Sequence, residues 1–321
     1  GAEIKNFLSF DKIYKNCKVF KLEQNYRSSK NILDTASTLI SNNDSRVGKV
    51  LKSSHKNGEL VKLNCYNTGK DEAEGIGEII ENNLKKKFNY NQISILVRAI
   101  YQTRELEERF LKIGLGYRIL GGIKFYERAE IKDAIAYLRI VNQKFDDLAL
   151  ERVIGAPKKG IGESTLKQIY DFSSKNKLCL EDGILKILEL GQFKPKIKQA
   201  LTSLMRLISK WRSDSKKMKH FDLLKLILDE SGYSALLKNK KDLENENRLE
   251  NLKELLRGMQ EYENLQSFLE HVALATSIDQ EWEGEKINLM TIHAAKGLEF
   301  DVIFLPGWEE GLFPHQKSLQ E

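Results

Sequence analysis

The polar residues best placed to do chemistry lie between two apolar runs towards the C-terminal end of the chain. The stretch INLMTIHAAKGLEFDVIFLPGWEEGLFPH, Ile287 to His315, holds the strand-like runs Ile287–Ile292 and Asp301–Leu305. Thr291 stands next to the end of the first run, and the link that follows carries His293, Lys296, Gly297 and Glu299. Groups set at the ends of buried strands in an α/β sheet sit where such sheets present ligand-binding residues. A plainer alternative stands beside this one: hydroxyl and imidazole satisfied by backbone, and Lys296 paired with Glu299.

Four further groupings carry potential chemistry. In Leu22-Glu23-Gln24-Asn25-Tyr26-Arg27-Ser28-Ser29, a guanidinium sits between a strand and a helix for which Ser29 is a plausible N-cap. Such a group suits phosphate, because its planar fork donates paired bonds and stays charged, and Tyr26 offers a ring for stacking. Arg98 lies just past the apolar run Ile93–Val97, while Arg104 has Glu107 and Glu108 within one helical turn. Lys132 and Arg139 are seven residues apart, which places them on one helix face about two turns apart. Finally, Gly155-Ala156-Pro157-Lys158-Lys159-Gly160-Ile161-Gly162-Glu163-Ser164-Thr165 reads as a tight turn opening a helix, with Thr165 and Gln168 at capping-box spacing. Backbone N–H groups there, beside Lys158 and Lys159, would form a sequence-independent phosphate site. A surface pair, a capping arginine, solvated cations and a turn between core helices explain the same residues without a ligand.

The elements that must position these groups follow from the pattern of apolar residues. Strands are expected at Val19–Leu22, Leu60–Tyr66, Ile93–Val97 and Tyr117–Leu120, with helices at Lys30–Ile40, Asp71–Lys86 and Thr103–Ile113. That alternation implies a mostly parallel sheet covered by helices. Gly121 and Gly122 suit a sharp bend, and a helix is expected over Glu130–Val141. From Arg128 to about Ser277 the pattern is almost wholly helical before strand character returns. An α/β unit interrupted by an all-helical insertion accounts for this order. Within it, Gly191–His220 carries nine Lys or Arg against the single acid Asp214, with Leu201, Leu204, Met205, Ile208 and Trp211 at helical spacing. A lysine-rich solvated face explains that helix, and contact with phosphates is the alternative.

Composition sets the bounds. A length of 321 residues suits two domains, and 41% hydrophobic residues supply real cores. No apolar run approaches the roughly 18 residues of a membrane span, and no signal peptide is evident. Cys17, Cys65 and Cys179 are widely separated, which fits a reducing cytoplasm and neither a disulfide framework nor a zinc site. The net charge of +6 permits nucleic-acid binding without requiring it.

Taken together, these strings resemble the UvrD/PcrA/Rep family of superfamily 1 DNA helicases. QNYRSS is similar to the family's motif IV, the Ile287–His315 stretch to motif V, and ILVR…QTRELE, YRILGG…EIKDAIAYLR and PKKGIGEST to further family elements. The resemblance implies a RecA-like, P-loop NTPase-like second motor domain interrupted by an inserted all-α domain. Residues 1–120 and 284–321 would form the motor domain and residues 121–283 the duplex-gripping insertion. It further implies that Tyr26 packs on adenine, that Arg27 reaches the γ-phosphate as the catalytic arginine, and that Glu299 senses the nucleotide sugar. Arg98, Thr291 and His293 would then meet single-stranded DNA, while Lys132, Arg139, Gly160, Gly162 and Thr165 would meet the duplex. Trp308 stands where many relatives carry Met and is assigned to packing.

An ATPase of this class also needs G-x-x-x-x-G-K-[ST] and a strand ending in paired acids, and neither occurs in this chain. The expectation is therefore part of an ATP- and Mg2+-dependent 3′-to-5′ helicase acting in DNA repair or replication, inactive by itself. Its partners would be single-stranded and duplex DNA, a first motor domain and DNA-repair proteins. The rival is a non-enzymatic DNA- or protein-docking module on an α/β base.

Overall fold

A computed structural model describes residues 13–14, 16–18, 20–42, 51–55, 57–239, 242–278 and 284–313. The chain divides into two compact units, Gly1–Tyr66 and Asn67–Glu321.

In the first unit a two-residue strand, β1 (Gln24–Asn25), pairs in parallel with β2 (Lys52–Ser53), and helix α1 (Lys30–Ser41) lies between them in the chain. The strand expected at Val19–Leu22 is absent among the described residues, and Val19 itself lies outside them. Phe20 and Leu22 are instead strongly exposed. Leu60–Tyr66 likewise forms no strand, and Leu63 is 88% exposed. β-branched and apolar composition favours a strand only where a neighbour completes the ladder.

The second unit is built on a four-stranded parallel sheet of order β4–β5–β3–β6. Its strands are β3 (Ile93–Val97), β4 (Tyr117–Leu120), β5 (Ile287–Thr291) and β6 (Val302–Phe304). All five residues of β3 are buried, as expected of an inner parallel strand covered on both faces. Helices α2 (Gly69–Ile79), extended by a π-helical turn over Ile80–Leu84, and α3 (Thr103–Lys112) supply the covering apolar side chains Ala73, Ile76, Leu106 and Phe110. Thr68 caps α2 by accepting the Asp71 N–H at 3.1 Å. Buried Asn288 pins the register: it accepts from Arg118 at 2.7 Å and donates to the carbonyls of Asn91 and Ile93.

Between β4 and its sheet neighbour β5 the chain is helical. The run comprises α4 (Ala129–Asn142), α5 (Asp147–Gly155), α6 (Glu163–Asn176), α7 (Leu180–Glu189), α8 (Pro195–Asp214), α9 (His220–Glu230), α10 (Tyr233–Asn239), α11 (Leu243–Met259) and α12 (Leu265–Ile278). The five α8 residues singled out by their spacing, from Leu201 to Trp211, are all buried. Trp211 meets Tyr137 edge-on, with ring centroids 5.7 Å apart.

Sheet and helical block are joined through buried charge. Arg104, 3% exposed, meets Glu108 at 2.8 Å, Glu105 at 3.2 Å and, on α11 and just past it, Glu254 at 3.4 Å and Glu261 at 3.5 Å. A Cβ on Gly258 would stand 2.9 Å from the Arg104 guanidinium, so glycine allows α11 to come this close. Of Glu107 and Glu108, the two alternatives within one turn of Arg104, it is Glu108 that pairs with it. Glu107 serves Arg128 (3.4 Å), the Tyr117 hydroxyl (3.1 Å) and the Phe125 N–H (3.0 Å), and Arg128 also donates to Asn251 at 2.7 Å. Burial pushes the Glu107 carboxyl up and the Arg128 guanidinium down, each opposed by the other's charge.

Candidate functional site

In the first unit the turn after β1 presents Tyr26 and Arg27 to solvent, Tyr26 being 73% exposed. Its backbone is held from several sides. The Asn25 side-chain carbonyl accepts the N–H groups of Arg27 (3.0 Å) and Ser28 (2.9 Å). Ser53 donates to the Ser28 carbonyl at 2.7 Å, Ser54 to that of Asn25 at 3.0 Å, and the His55 ring lies 2.5 Å from the Tyr26 carbonyl. Asn25, Ser53, Ser54 and His55 are thus positioning residues that the sequence did not single out. Asn before a turn is the one usable signal, since its amide bonds backbone two residues on. Ser29 does stand at the N-cap of α1, but its hydroxyl makes no cap bond.

In the second unit the functional candidates gather at the carboxyl ends of adjacent parallel strands. Arg98 follows β3 and is half-buried; Thr291 ends β5, half-buried, and His293 follows it, exposed. Strands β3 and β5 pair with Val97 opposite Thr291, so Arg98 and Thr291–His293 leave the sheet side by side. Neighbouring strands lie about 4.8 Å apart. The Ala294 N–H donates to the Thr291 hydroxyl at 3.2 Å, leaving that oxygen a donor hydrogen and one lone pair. Glu299 is exposed further along the same link. Gly121, after β4, comes close to Ala294: a Cβ there would lie 3.5 Å from the alanine methyl.

The fourth strand exit carries Gly307, whose N–H donates to both oxygens of the Glu72 carboxylate at 3.1 and 3.2 Å. Burial raises the Glu72 carboxyl, and the Gly307 N–H works against that. A side chain at Gly307 would strike Gln102, which accepts from the Ala99 N–H and so orders the loop after Arg98. Trp308, expected in packing, is 49% exposed, with its ring edge-on to Phe313 at 4.8 Å. His315 lies outside the described residues.

The helical block treats its candidates differently. Lys132 is exposed on α4, whereas the Arg139 guanidinium is held by Asp146 at 2.6 Å, an acid that also caps α5. Helix α6 opens three residues earlier than its capping-box spacing suggested: Gly162 is the N-cap, without a side-chain cap bond. Thr165 is therefore inside the first turn and buried, its N–H already given to the Gly162 carbonyl at 3.0 Å. Little of the Thr165 side chain is left on the surface for direct contact. Gly160 takes φ +75°, a conformation that favours glycine. Lys159 does not face outward beside this turn. Its ammonium donates to the carbonyls of Val153 (2.7 Å) and Pro157 (3.1 Å) and to the Tyr137 hydroxyl (3.3 Å), and burial lowers it to about 8. Lys158 remains exposed, and Lys196 at the start of α8 brings its Cε within 3.9 Å of the place a Gly160 Cβ would occupy. Lys196 is the cation of this turn that sequence spacing missed, although the basic run containing it was visible.

Among the described residues no cluster of His, Cys, Asp or Glu could hold a metal, and no helix is long and apolar enough to cross a membrane.

Comparison with known proteins matches residues 20–321 to the UvrD-like helicase C-terminal domain. The chain is 42% identical over its whole length to a probable DNA helicase II homolog of Rickettsia conorii, covering 50% of that protein. It is 40% identical to the ATP-dependent DNA helicase PcrA of Bacillus subtilis, covering 45% of it, and 36% identical to PcrA of Staphylococcus aureus. The chain thus spans about half the length of the relatives it matches. A mixed α/β fold with a parallel sheet and a helical excursion agrees with that match, and the chain belongs to the UvrD-like helicase family through its C-terminal domain.

Proposed function

We propose that the chain is the second motor domain and helical insertion of an ATP-dependent, 3′-to-5′ DNA helicase of DNA repair or replication. On this reading, its path for single-stranded DNA crosses the carboxyl edge of the sheet. The observation that carries this is the side-by-side exit of Arg98 and Thr291–His293 from paired strands β3 and β5. Arg98 supplies a half-buried cation for a backbone phosphate, Thr291 a hydroxyl donor, and His293 an exposed ring. The strands beneath are buried and cannot shift without disturbing the core, so these groups arrive preorganised.

Tyr26 and Arg27 fit a nucleotide: the turn that bears them is held through its backbone, and both side chains reach solvent. ATP with Mg2+ would supply the cleavable phosphoanhydride. The first unit's own contribution would be a ring for the base from Tyr26 and charge on the γ-phosphate from Arg27; in the second unit, taken by itself, Glu299 would offer a carboxylate to a nucleotide sugar. The remaining half of the site belongs to a first motor domain. In the helical block, Lys132, Lys158 and the N–H groups around Gly160 and Gly162 would meet duplex phosphates. A reducing cytoplasm, with DNA-repair proteins as neighbours, completes the reading.

The test is a fluorescence-anisotropy titration of labelled oligo(dT) with the 321-residue chain at several salt concentrations. Binding should weaken as salt rises. It should weaken again on Arg98→Ala and His293→Ala. Binding indifferent to both substitutions would remove the sheet edge as the single-strand site.

A further inference from the structure

The basic run of α8 is the strongest feature that the proposed function leaves unused. Its cations divide into two groups once their partners are known. Arg212 is drawn into the block, donating to Glu181 at 2.6 and 2.7 Å and to the Ile140 carbonyl. Lys210 pairs with Glu230. Lys196 and Arg206 are exposed and make no ion pair among the described residues.

The geometry of the helix puts the exposed donors in line. Lys196, Gln199, Ser203 and Arg206 follow one another at steps of three and four, so they form one exposed stripe, with Lys210, already paired with Glu230, next in line beyond it. The opposite side of α8 carries Leu201, Leu204, Ile208 and Trp211, all buried, so the stripe cannot rotate inward. At 1.5 Å per residue it is about 15 Å long from Lys196 to Arg206. It begins at the glycine turn, where Lys196 stands over Gly160. The first turn of α8 contains no acid, so the positive end of the helix dipole reinforces Lys196 there.

We infer that this stripe is a second phosphate-binding track, along which α8 follows one strand of a B-form duplex away from the Gly160–Gly162 turn. Charge, spacing and continuity favour a nucleic-acid backbone. Cations separated by amide and hydroxyl donors suit a row of phosphates, and nothing in the stripe is shaped to read base edges. The binding is therefore sequence-independent. The inference rests on the reading of the glycine turn as a duplex contact.

The experiment titrates the 321-residue chain against a blunt-ended labelled duplex between about 50 and 200 mM salt, a range over which phosphate-dominated affinity falls by orders of magnitude. Lys196→Ala/Arg206→Ala is compared with wild type and with Lys198→Ala. Lys198 lies about 200° round the helix from Lys196 and off the stripe. Thermal unfolding checks that each variant folds. The double variant should bind about tenfold more weakly at low salt, and its slope of log affinity against log salt should fall by about 1.8, or 0.9 per lost phosphate contact. Lys198→Ala should stay close to wild type. Duplex binding by wild type with an unchanged slope in the double variant overturns the stripe and leaves the glycine-turn reading standing. An equal loss on Lys198→Ala also overturns it, as general charge. No duplex binding by wild type overturns the stripe together with the reading beneath it.

Discussion

The carboxyl edge of the sheet and the glycine turn of the helical block handle polar residues in opposite ways. At the sheet edge the backbone is consumed by the ladder, so the side chains of Arg98, Thr291 and His293 are what remains to meet a ligand. At the turn the side chains are consumed: Thr165 is buried and Lys159 spends its ammonium on carbonyls, so backbone N–H groups and a neighbouring helix face remain. A motif therefore marks a place. Which atoms of the motif face outward is decided by packing around it.

The largest effect is expected where the two regions are joined. Glu107→Ala would leave Arg128 buried without its carboxylate and should cost about 3–5 kcal/mol of stability. Urea unfolding followed by circular dichroism measures it, and a loss under about 1 kcal/mol would show that water or another group replaces Glu107. Next is Arg98→Ala, which removes a charged hydrogen bond and should weaken oligo(dT) binding at least about tenfold. Duplex affinity should hardly change. Equal losses on both substrates would erase the distinction between edge and turn.

Lys159 sharpens the contrast by pH. Burial lowers it from the ordinary lysine value to about 8, so between about pH 8 and 10.5 the unfolded chain holds more protons than the folded one. Stability should consequently rise with pH across that window relative to Lys159→Met, by at most about 1.4 kcal/mol per pH unit. Thermal or urea unfolding from pH 7.5 to 10 reads this. A flat difference would place the ammonium in solvent, as first expected. The smallest effect is that of Thr165→Ala: about 1 kcal/mol of stability, with duplex affinity within about twofold of wild type. A larger affinity loss without a stability change would return the hydroxyl to the interface.

How far the sequence was legible follows the same division. Ile93–Val97 and Tyr117–Leu120 were read to the residue, because apolar strands bounded by turns leave little freedom. Leu60–Tyr66 misled, since strand composition without a pairing partner specifies no strand. The places occupied by Arg98, Thr291 and His293 were legible because strand ends announce them. Three features were illegible for a common reason: the inward turn of Lys159, the capture of Arg139 by Asp146, and Lys196 over Gly160. Each depends on tertiary neighbours rather than on local spacing.

Photocrosslinking decides whether single-stranded DNA crosses the carboxyl edge of the sheet. The 321-residue chain would be irradiated with oligonucleotides carrying 5-iododeoxyuridine, and crosslinked peptides located by mass spectrometry. Adducts are expected in the peptides bearing Arg98 and His293, lost when unlabelled oligo(dT) competes. Competable adducts confined to the helices between Ala129 and Ile278, with none at the strand ends, would contradict that path.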